Sequence, residues 1–402
     1  MAQADVIILG GGLVGSALSV ALDAHGLSSI VVDPADPAVF LGADFDGRAS
    51  AIASASWAML QAIGLGDRLE GKGCPIRAIR VSDGLKPGAL DFASAADDAP
   101  LGIMFENRLL RQTLHAAAAE ATHLQLLMPA RSRSTERGTH GVMVALEDGR
   151  ALRAPLLIAA DGRNSPTREA AGINVARWQY EHVGIIAAIE HERPHGNVAF
   201  EIFYPEGPFA ILPMLPGNRS GLVWSVKRAD APGYLKLGQR GFLAELERKM
   251  GGLLGTMKLL APLSGYPLGF HHAGRITDHR LALVGDAAHG IHPIAGQGLN
   301  LGLRDAAALT EVLVEGARLG LDLGDAQLMK RYERWRSLDT FLVAASTDSL
   351  ARLFGIPGQS ASAVRRLGLS AVQRIKPLKD FFMAEARGEF GDKPKLLSGL
   401  TV

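Results

Sequence analysis

A glycine-rich turn near the start of the chain is the feature that most restricts its fold. The apolar run at 5–10 (DVIILG) predicts a buried strand, and 13–25 predicts a helix directly after it. Between them stand Gly10, Gly12 and Gly15, in the spacing G-x-G-x-x-G. The first glycine permits a tight turn, the second lets a pyrophosphate approach the backbone, and the third lets helix and strand pack closely. The pattern therefore predicts the opening of a dinucleotide-binding βαβ unit.

The next strand completes this unit and ends on an acid. Residues 29–33 (SIVVD) are mostly apolar up to Asp33, which lies 18 residues after Gly15. A carboxylate at this strand end can accept hydrogen bonds from ribose hydroxyls. The first helical residues, Leu13 and Val14, present unpaired N–H groups and a partial positive charge to the phosphates. A purely structural glycine turn is the alternative, and the motif alone does not distinguish FAD from NAD.

Size and composition limit the remaining possibilities. A chain of 402 residues is long enough for two or three packed units. The net charge of +1 gives no electrostatic reason to expect a nucleic-acid partner. The single cysteine, Cys74, excludes an intrachain disulfide and favours a reducing compartment such as the cytoplasm, although an exported protein without disulfides would look the same. The apolar stretch 6–22 has no positive residues before it, so we interpret it as part of the nucleotide fold, not as a signal peptide.

The order of predicted elements indicates an α/β fold with an inserted sheet. Helices are predicted at 50–63, 106–121 and 298–316, a strand at 280–285, and a hairpin at 141–147 and 151–159. Between about 178 and 270, short β-rich runs alternate with turn signals and predict an antiparallel sheet, and from 325 onward the chain is mostly helical. The predicted division is 1–75, 105–177 and 273–325 for the nucleotide-binding domain, 76–104 and 178–272 for a substrate domain, and 326–402 for a helical C-terminal region.

A second long motif, at 281–305 (LALVGDAAHGIHPIAGQGLNLGLRD), favours a flavin. A buried strand ends at Gly285, and the Asp286 carboxylate after it can accept hydroxyls of a sugar-like chain. The following loop and helix start offer N–H donors to a ring that gains negative charge on reduction. The candidate cofactor-binding residues of this motif are Gly285, Asp286, Pro293, Gly296, Gln297, Gly298, Leu299 and Asn300. The alternative is an ordinary Gly-Asp loop.

This second motif resembles the second FAD signature of the p-hydroxybenzoate hydroxylase class of flavoprotein monooxygenases. Residues 160–165 (ADGRNS) resemble the Asp-Gly motif of the same class, which implies that Asp161 contributes to the cofactor site. The three motifs stand in the order of that class, and the resemblance covers nearly the whole chain. It implies a Rossmann-like FAD-binding domain with an inserted antiparallel β-sheet substrate domain and a helical C-terminus.

The resemblance also implies a chemistry. Enzymes of this class let reduced FAD react with dioxygen to a hydroperoxide, whose distal oxygen attacks an electron-rich phenol ring. Since one dinucleotide fingerprint is present, the electron donor would be NADPH bound transiently in a groove, or a redox protein. No acid–base residue is required for the cycle, and we predict no catalytic side chain.

Two shorter segments are similar to those of ubiquinone-biosynthesis hydroxylases. Residues 46–49 (DGRA) resemble their DGR(A/T) segment, which implies that Arg48 lies near the flavin or its phosphates. Residues 106–111 (ENRLLR) resemble their E-N-x-x-L-R segment, which implies contacts from Asn107 and Arg108 to FAD. For both arginines, a surface salt bridge is the alternative.

The substrate implied by this narrower resemblance is a polyprenylated phenol. Residues 207–213 (GPFAILP) resemble a family strand beside the substrate pocket. The candidate pocket residues are Phe203, Phe209, Pro213 and Trp224, and core packing is equally compatible with the aromatic ones. The common family form has Glu-Arg-Phe where this chain has Glu201–Ile202–Phe203, which leaves the ring position open. The rivals are a soluble hydroxylase of a small phenol and a non-catalytic flavoprotein subunit of a quinone-synthesis complex.

Two remaining features carry weaker predictions. His289 and His292 have an H-x-x-H spacing, but no further ligands cluster nearby in the sequence, so we predict no metal site. Residues 351–390 interleave basic and apolar side chains. Such a surface could contact an anionic inner membrane or a protein partner transiently, or it could pack as an ordinary helix.

Overall fold

The computed structural model describes residues 2–42, 44–85, 90–95, 97–290, 297–337, 372–389 and 391–402. Its strands are β1 (Ala2–Gln3), β2 (Val6–Leu9), β3 (Ser29–Val32), β4 (Ala49–Ala53), β5 (Cys74–Ile76), β6 (Ala78–Asp83), β7 (Leu90–Ala93), β8 (Gly102–Glu106), β9 (Leu124–Leu127), β10 (Ser132–Gly138), β11 (Gly141–Leu146), β12 (Ala151–Ala154), β13 (Leu156–Ala159), β14 (Val175–His191), β15 (Val198–Tyr204), β16 (Gly207–Met214), β17 (Arg219–Lys227), β18 (Met257–Leu259), β19 (Ser264–Ala273), β20 (Thr277–Asp278), β21 (Leu281–Leu283) and β22 (His289–Gly290). Its helices are α1 (Leu13–Asp23), α2 (Pro37–Phe40), α3 (Ser54–Ala62), α4 (Gly66–Leu69), α5 (Asn107–Glu120), α6 (Pro166–Ala170), α7 (Ala231–Lys236), α8 (Gly238–Met250), α9 (Gln297–Arg318), α10 (326–337) and α11 (Lys376–Ala386). Within these ranges no helix has the length and apolarity needed to cross a membrane.

The nucleotide-binding unit is built on a mainly parallel sheet with the strand order β20-β21-β13-β2-β3-β9. Val6, Ile7 and Ile8 of β2 are fully buried, as expected for a parallel strand that is covered on both faces. Strand β13 pairs in parallel with both β2 and β21. Because parallel strands end at the same edge of the sheet, the segments that follow β2, β13 and β21 meet there.

The second sheet has the order β22-β19-β14-β17-β16-β15-β6-β7, with β18 added to β14. In the described ranges it is antiparallel except where β15 pairs with β6 in parallel. Strands β6 and β7 come from an earlier part of the chain than the remaining strands, so two separate stretches build one sheet. The predicted α/β fold with an inserted sheet is confirmed.

The two faces of this second sheet have different neighbours. On one face, Phe209 and Trp224 pack beneath Phe242 and Leu246 of α8. On the other face, Leu212 packs with Met104, Met214 and Cys74, where β5 and β8 belong to the small sheet β4-β8-β5. The second face therefore meets the nucleotide-binding unit.

The predicted helix at 50–63 is wrong over its first four residues. Residues Ala49–Ala53 form β4, which pairs antiparallel with β8, and the helix starts only at Ser54. Alanine favours helices and is uncommon in strands, so this alanine-rich sequence predicted a helix. Pairing with β8 overrides that preference.

The predicted strand 151–159 is in fact two strands of different sheets. Strand β12 pairs with β11 in the hairpin, whereas β13 belongs to the parallel sheet. Pro155 lies between them, and because proline has no N–H group, it interrupts the ladder of main-chain hydrogen bonds. The apolar run did not reveal this break.

The predicted all-strand region 178–270 also contains α7 and α8. Phe242, Leu246 and Met250 recur every four residues along α8 and are all buried against the sheet. This helical period was present in the sequence and was missed among the neighbouring β-rich runs.

Candidate cofactor and active site

The glycine turn after β2 is compact, and each glycine has a distinct environment. Gly10 has a φ of +109°, and a Cβ there would lie 2.3 Å from the main-chain oxygen of Ala160. A Cβ on Gly15 would lie 2.0 Å from the main-chain oxygen of Gly10. A Cβ on Gly12, in contrast, would meet open space. Helix α1 begins at Leu13 without a side-chain cap, so its first N–H groups face that open space.

Asp33 holds the turn from the end of the neighbouring strand. Its Oδ2 accepts a hydrogen bond from the N–H of Gly11 at 2.6 Å, and its Oδ1 accepts one from Ala35 at 2.8 Å. The cavity beside the turn is lined by Gly11, Gly12, Leu13, Ser16, Phe40, Arg111, Leu114, His115, Leu126 and Met128. This cavity is where an adenosine moiety bound by the turn would lie, and the role of Asp33 in holding a ribose stays a prediction.

The second glycine segment lies directly against the first. Gly285 has a φ of +59°, and a Cβ there would lie 3.3 Å from Cγ2 of Val14. Gly302 of α9 is even closer, since a Cβ there would lie 2.6 Å from the same methyl group. The side chain of Asp286 is exposed at this junction. The two motifs, about 270 residues apart in the sequence, therefore border one site.

A buried ionic cluster around Asp305 binds the main chain of the Gly285 segment. Asp305 is completely buried; its Oδ2 accepts hydrogen bonds from the N–H of Gly285 at 2.9 Å and from Nε2 of His289 at 2.6 Å. Its Oδ1 accepts a hydrogen bond from Nε of Arg336 at 2.7 Å. Burial alone would raise the pKa of Asp305, but the charges and hydrogen bonds of His289 and Arg336 hold it below its usual range. His289 thus serves this cluster, and His292 lies outside the described residues.

His271 and Arg168 fix the main chain of the same loop. Nε2 of His271 donates to the carbonyl of Asp286 at 2.7 Å, and burial lowers the pKa of His271 to about 4, so the ring is neutral. Arg168 donates to the carbonyl of Ala287 at 2.8 Å. Neither His271 nor Arg168 is among the candidates of the sequence analysis, since nothing near them in the sequence marks a role in this loop.

Strand β4 is held between two asparagines that were predicted to contact the cofactor. Asn107 accepts a hydrogen bond from the Ser50 hydroxyl at 2.7 Å, and its N–H donates to the carbonyl of Arg48 at 3.0 Å. Asn300 accepts a hydrogen bond from the N–H of Ala53 at 2.8 Å. The structure therefore brings the segments around 48, 107 and 300 together at β4.

The two predicted arginines make local ion pairs. Arg48 pairs with Asp46 at 2.8 Å and keeps 56% of its side chain exposed. Arg108 donates from Nε to Glu106 at 2.5 Å and lies over the ring of Phe45. These pairs are the salt-bridge alternative of the sequence analysis, and contact with a cofactor stays a prediction for both residues.

Asp161 lies where the Asp-Gly segment meets the glycine turn. Its main-chain nitrogen is in contact range of Gly10, and its Oδ2 accepts a hydrogen bond from Thr167 at 3.1 Å. Its Oδ1 is buried and has no hydrogen-bond donor in the described part of the chain. A buried carboxylate oxygen without a donor is costly, so a ligand hydroxyl or a water molecule is expected there.

The start of α9 is open toward the same site. Gln297 is its first residue, a Cβ on Gly298 would meet open space, and Leu299 packs partly against the core. Pro293 and Gly296 of the predicted loop lie outside the described residues.

The predicted pocket residues separate onto two faces of the second sheet. Phe209 and Trp224 are at most 1% exposed and stack edge to face within the core under α8, with ring centroids 5.8 Å apart. Pro213 follows Phe209 at an even spacing and is directed to the same face. Phe203 faces the other side, where it packs with Leu90 and Phe92. Phe209 and Trp224 therefore take the core-packing alternative, whereas Phe203 lies on the opposite face of the sheet, and a role of these residues in a substrate pocket stays a prediction.

Comparison with known proteins agrees with this geometry. A family described as an FAD binding domain matches residues 3–340. The chain is 48% identical over 400 residues to a protein of Rhodospirillum rubrum named ubiquinone hydroxylase UbiL, with 99% of this chain and 93% of that protein covered. It belongs to the ubiquinone-biosynthesis family of FAD-dependent hydroxylases. A further family member, the 3-demethoxyubiquinol 3-hydroxylase of Escherichia coli, is 34% identical over 378 residues, covering 93% of this chain and 96% of that one.

Solved structures of other flavoenzymes share the fold of this family member. The p-nitrophenol 4-monooxygenase PnpA of Pseudomonas putida superposes with a TM-score of 0.79 at 17% identity, covering 98% of this chain and all of that one. HpxO of Klebsiella pneumoniae, solved with FAD and uric acid, gives a TM-score of 0.75 at 20% identity, covering 96% and 97% of the two chains. The predicted FAD cofactor and the aromatic hydroxylase class are confirmed.

The site of this family member fits FAD. The open space at Gly12 and Gly298, the free N–H groups of α1 and the Asp161 oxygen without a donor suit a ligand with phosphates and many hydroxyls. When bound and reduced, FAD supplies the activation of dioxygen that ring hydroxylation needs.

Asp286 provides a direct test of the cofactor site. The purified protein is expected to be yellow, and Asp286→Ala is expected to weaken FAD binding by roughly 10–100-fold, because a charged acceptor of ligand hydroxyls is lost. The exposed position of Asp286 predicts an unchanged melting temperature for the apoprotein. The measurement is a titration of apoprotein with FAD.

Asp148→Ala is the control, since Asp148 is an exposed aspartate paired with Arg150 in a hairpin turn away from the site. Equal FAD affinity in the Asp286 variant and the wild type would contradict the assignment.

Proposed function

We propose that this chain hydroxylates the ring of a polyprenylated phenol in ubiquinone biosynthesis, with dioxygen and a reduced electron donor. The proposal rests on one observation: β4 contacts both the cofactor-binding segments and the second sheet. Asn107 and Asn300 attach β4 to the cofactor side, while Ala49 and Ala51 pack with Leu212 of the second sheet. A ring held on that sheet therefore lies next to the flavin site.

The chemistry of the facing surfaces supports an apolar substrate. Met104, Met214 and Leu212 belong to one apolar cluster on this side of the sheet, and Phe203 and Phe92 belong to another. Apolar side chains of this kind suit an aromatic ring with a hydrocarbon tail and would exclude water from the reacting atoms. The names of the relatives from Rhodospirillum rubrum and Escherichia coli, which refer to ubiquinone and demethoxyubiquinol, support the same substrate class.

The residues of the chain have binding and positioning roles in this scheme. The first turn of α1 and the Asp161 and Asp286 carboxylates would hold FAD. The Asp305 cluster would keep the Gly285 turn in place, and the apolar walls would orient the ring. NADPH, bound transiently, or a redox protein would deliver the electrons.

The proposed membrane contact concerns the C-terminal region, of which 351–371 and Phe390 lie outside the described residues. In the described part, Phe382 and Met383 of α11 pack against the Phe203 cluster, which is the packing alternative. Ile375 and Phe381 are 50% and 40% exposed on the outer side of the same segment. A contact between this outer side and a membrane surface stays a prediction.

Complementation tests the proposed function. Expression of the chain in bacterial strains that each lack one ring-hydroxylation step is expected to restore ubiquinone in at least one strain, with the accumulated precursor gaining one oxygen atom by mass. The Asp286→Ala variant, expressed at the same level, is expected to restore less.

Two outcomes would contradict the proposal. Failure in every strain, with FAD bound and no substrate-stimulated oxygen uptake by the purified protein, would favour the non-catalytic flavoprotein. Hydroxylation of small soluble phenols without activity on a prenylated phenol would favour the small-substrate hydroxylase.

A further inference from the structure

Glu201 lies in the middle of β15, on the sheet face opposite α8. It lies on β15, opposite Val81 of β6 and Ala210 of β16. The neighbouring residue Ile202 is buried under α8, so alternation along the strand directs Glu201 to the opposite face, together with Phe203. The acid is therefore on the substrate side of the sheet.

The residues directly opposite Glu201 on this face are apolar, and the nearest acid on β6 is Asp83, opposite Phe203. The cross-strand neighbours of Glu201 are Val81 and Ala210, and Leu212 stands two residues further along β16. The Leu212 cluster and the Phe203 cluster remain separate groups, and Glu201 stands on the sheet between them. Its side chain is half-buried, so part of it remains accessible from outside the protein core.

No described residue of the chain donates a hydrogen bond to the Glu201 carboxyl group or pairs with it, although it lies on a sheet where other acids are paired. Glu190 of β14 pairs with Lys258 at 3.0 Å, and Glu206 pairs with Lys249 at 3.1 Å. Burial raises the pKa of Glu201 to about 8, so the group is largely a neutral acid at neutral pH. An acid left without a partner in apolar surroundings destabilises a fold, and a ligand that supplies the missing partner explains its presence.

We propose that Glu201 is the polar contact for the ring hydroxyl of the aromatic substrate and thereby sets the orientation of the ring between the two apolar clusters. This role rests on the proposed function, because it requires a phenol in the gap. A neutral carboxyl group accepts a hydrogen bond through its carbonyl oxygen and donates one through its hydroxyl, and a phenol hydroxyl offers the complementary pair. Because the residues directly opposite Glu201 offer only dispersion contacts, its carboxyl group would decide which ring edge points toward the flavin.

The test compares a phenol with its own methyl ether. FAD-loaded protein is titrated with 2-prenylphenol and with 2-prenylanisole, and the dissociation constants are read from the change in flavin absorbance. The wild type is expected to bind the phenol roughly 10–100-fold more tightly than the ether. In Glu201→Leu this ratio is expected to fall to about 1–3, whereas Glu201→Gln, whose amide also donates and accepts, is expected to retain part of the preference.

Glu190→Gln is the matched control, since it removes the charge of a paired acid on the same sheet and is expected to keep the full wild-type ratio. The FAD content of every variant is measured first, so that loss of cofactor is not mistaken for loss of the contact. An unchanged phenol-to-ether ratio in Glu201→Leu, in a protein that hydroxylates the phenol, would overturn the role of Glu201 alone. A wild type that binds neither probe would overturn the proposed function together with it.

Discussion

Replacing Asp305 with alanine is expected to lower the free energy of unfolding by about 3–5 kcal/mol, because a buried charge cluster loses its central acceptor. Arg336, only 2% exposed, and His289 would both lose their carboxylate partner, and the N–H of Gly285 would lose its acceptor. The Gly285 turn would then be less well held, so FAD retention is expected to fall as well. Urea unfolding of the apoprotein and FAD titration measure the two effects.

The pH dependence of stability distinguishes loss of the Asp305 charge from loss of the packing volume of its side chain. The folded-state pKa of Asp305 is lowered from an ordinary value of 3.8, so its stabilisation is present above pH 3.8 and is lost as the pH falls through the lower folded-state value. The difference in stability between the wild type and Asp305→Ala is therefore expected to narrow on acidification below about pH 4. Asp148→Ala, at an exposed pair with Arg150, is the control and is expected to change stability by no measurable amount. A stability difference that stays constant down to the acid transition would contradict the role of the Asp305 charge.

Gly15→Ala is expected to destabilise the fold by about 3 kcal/mol or more and to abolish FAD binding, because the new methyl group would lie 2.0 Å from the carbonyl oxygen of Gly10. The clash is with main chain, so relief requires α1 to move away from β2. Thermal unfolding and FAD titration are the measurements.

Gly12→Ala is the informative control, since its Cβ meets open space and its φ of −68° suits any residue. This variant is expected to melt like the wild type but to bind FAD more weakly, because the methyl group would occupy the space of the approaching phosphate. Equal melting temperatures of Gly12→Ala and Gly15→Ala would show that α1 does not pack against the turn as closely as the structure indicates.

The parts of the site that could be predicted from the sequence are those set by local backbone geometry. Gly10 is required by its φ of +109° and Gly15 by its contact with the carbonyl oxygen of Gly10, so the spacing of these glycines predicts the turn. The same holds for Gly285, whose left-handed conformation follows directly after a buried strand. In each case the sequence pattern and its structural cause lie within a few residues of each other.

Other parts depend on partners that are remote in the sequence and carry no local pattern. Asn300 holds Ala53 across a separation of 247 residues, and Asp305 meets Arg336 across 31. Nothing near Ala53 indicates that an alanine-rich segment will become a strand instead of a helix. The role of Phe209 stayed open in the sequence for a related reason: alternation predicts that a strand has two faces, but it does not tell which of the two faces meets α8.

The order of strands β21-β13-β2 has a consequence for how the enzyme matures in the cell. These neighbours come from the beginning, the middle and the later part of the chain, with Leu157 between Ile7 and Leu281. During synthesis, an emerging chain cannot close its binding edge until residues beyond 281 have left the ribosome, since the central strand lacks one neighbour until then. We therefore expect flavin uptake to follow the synthesis of β21, and a chain that ends before β21 to bind no flavin.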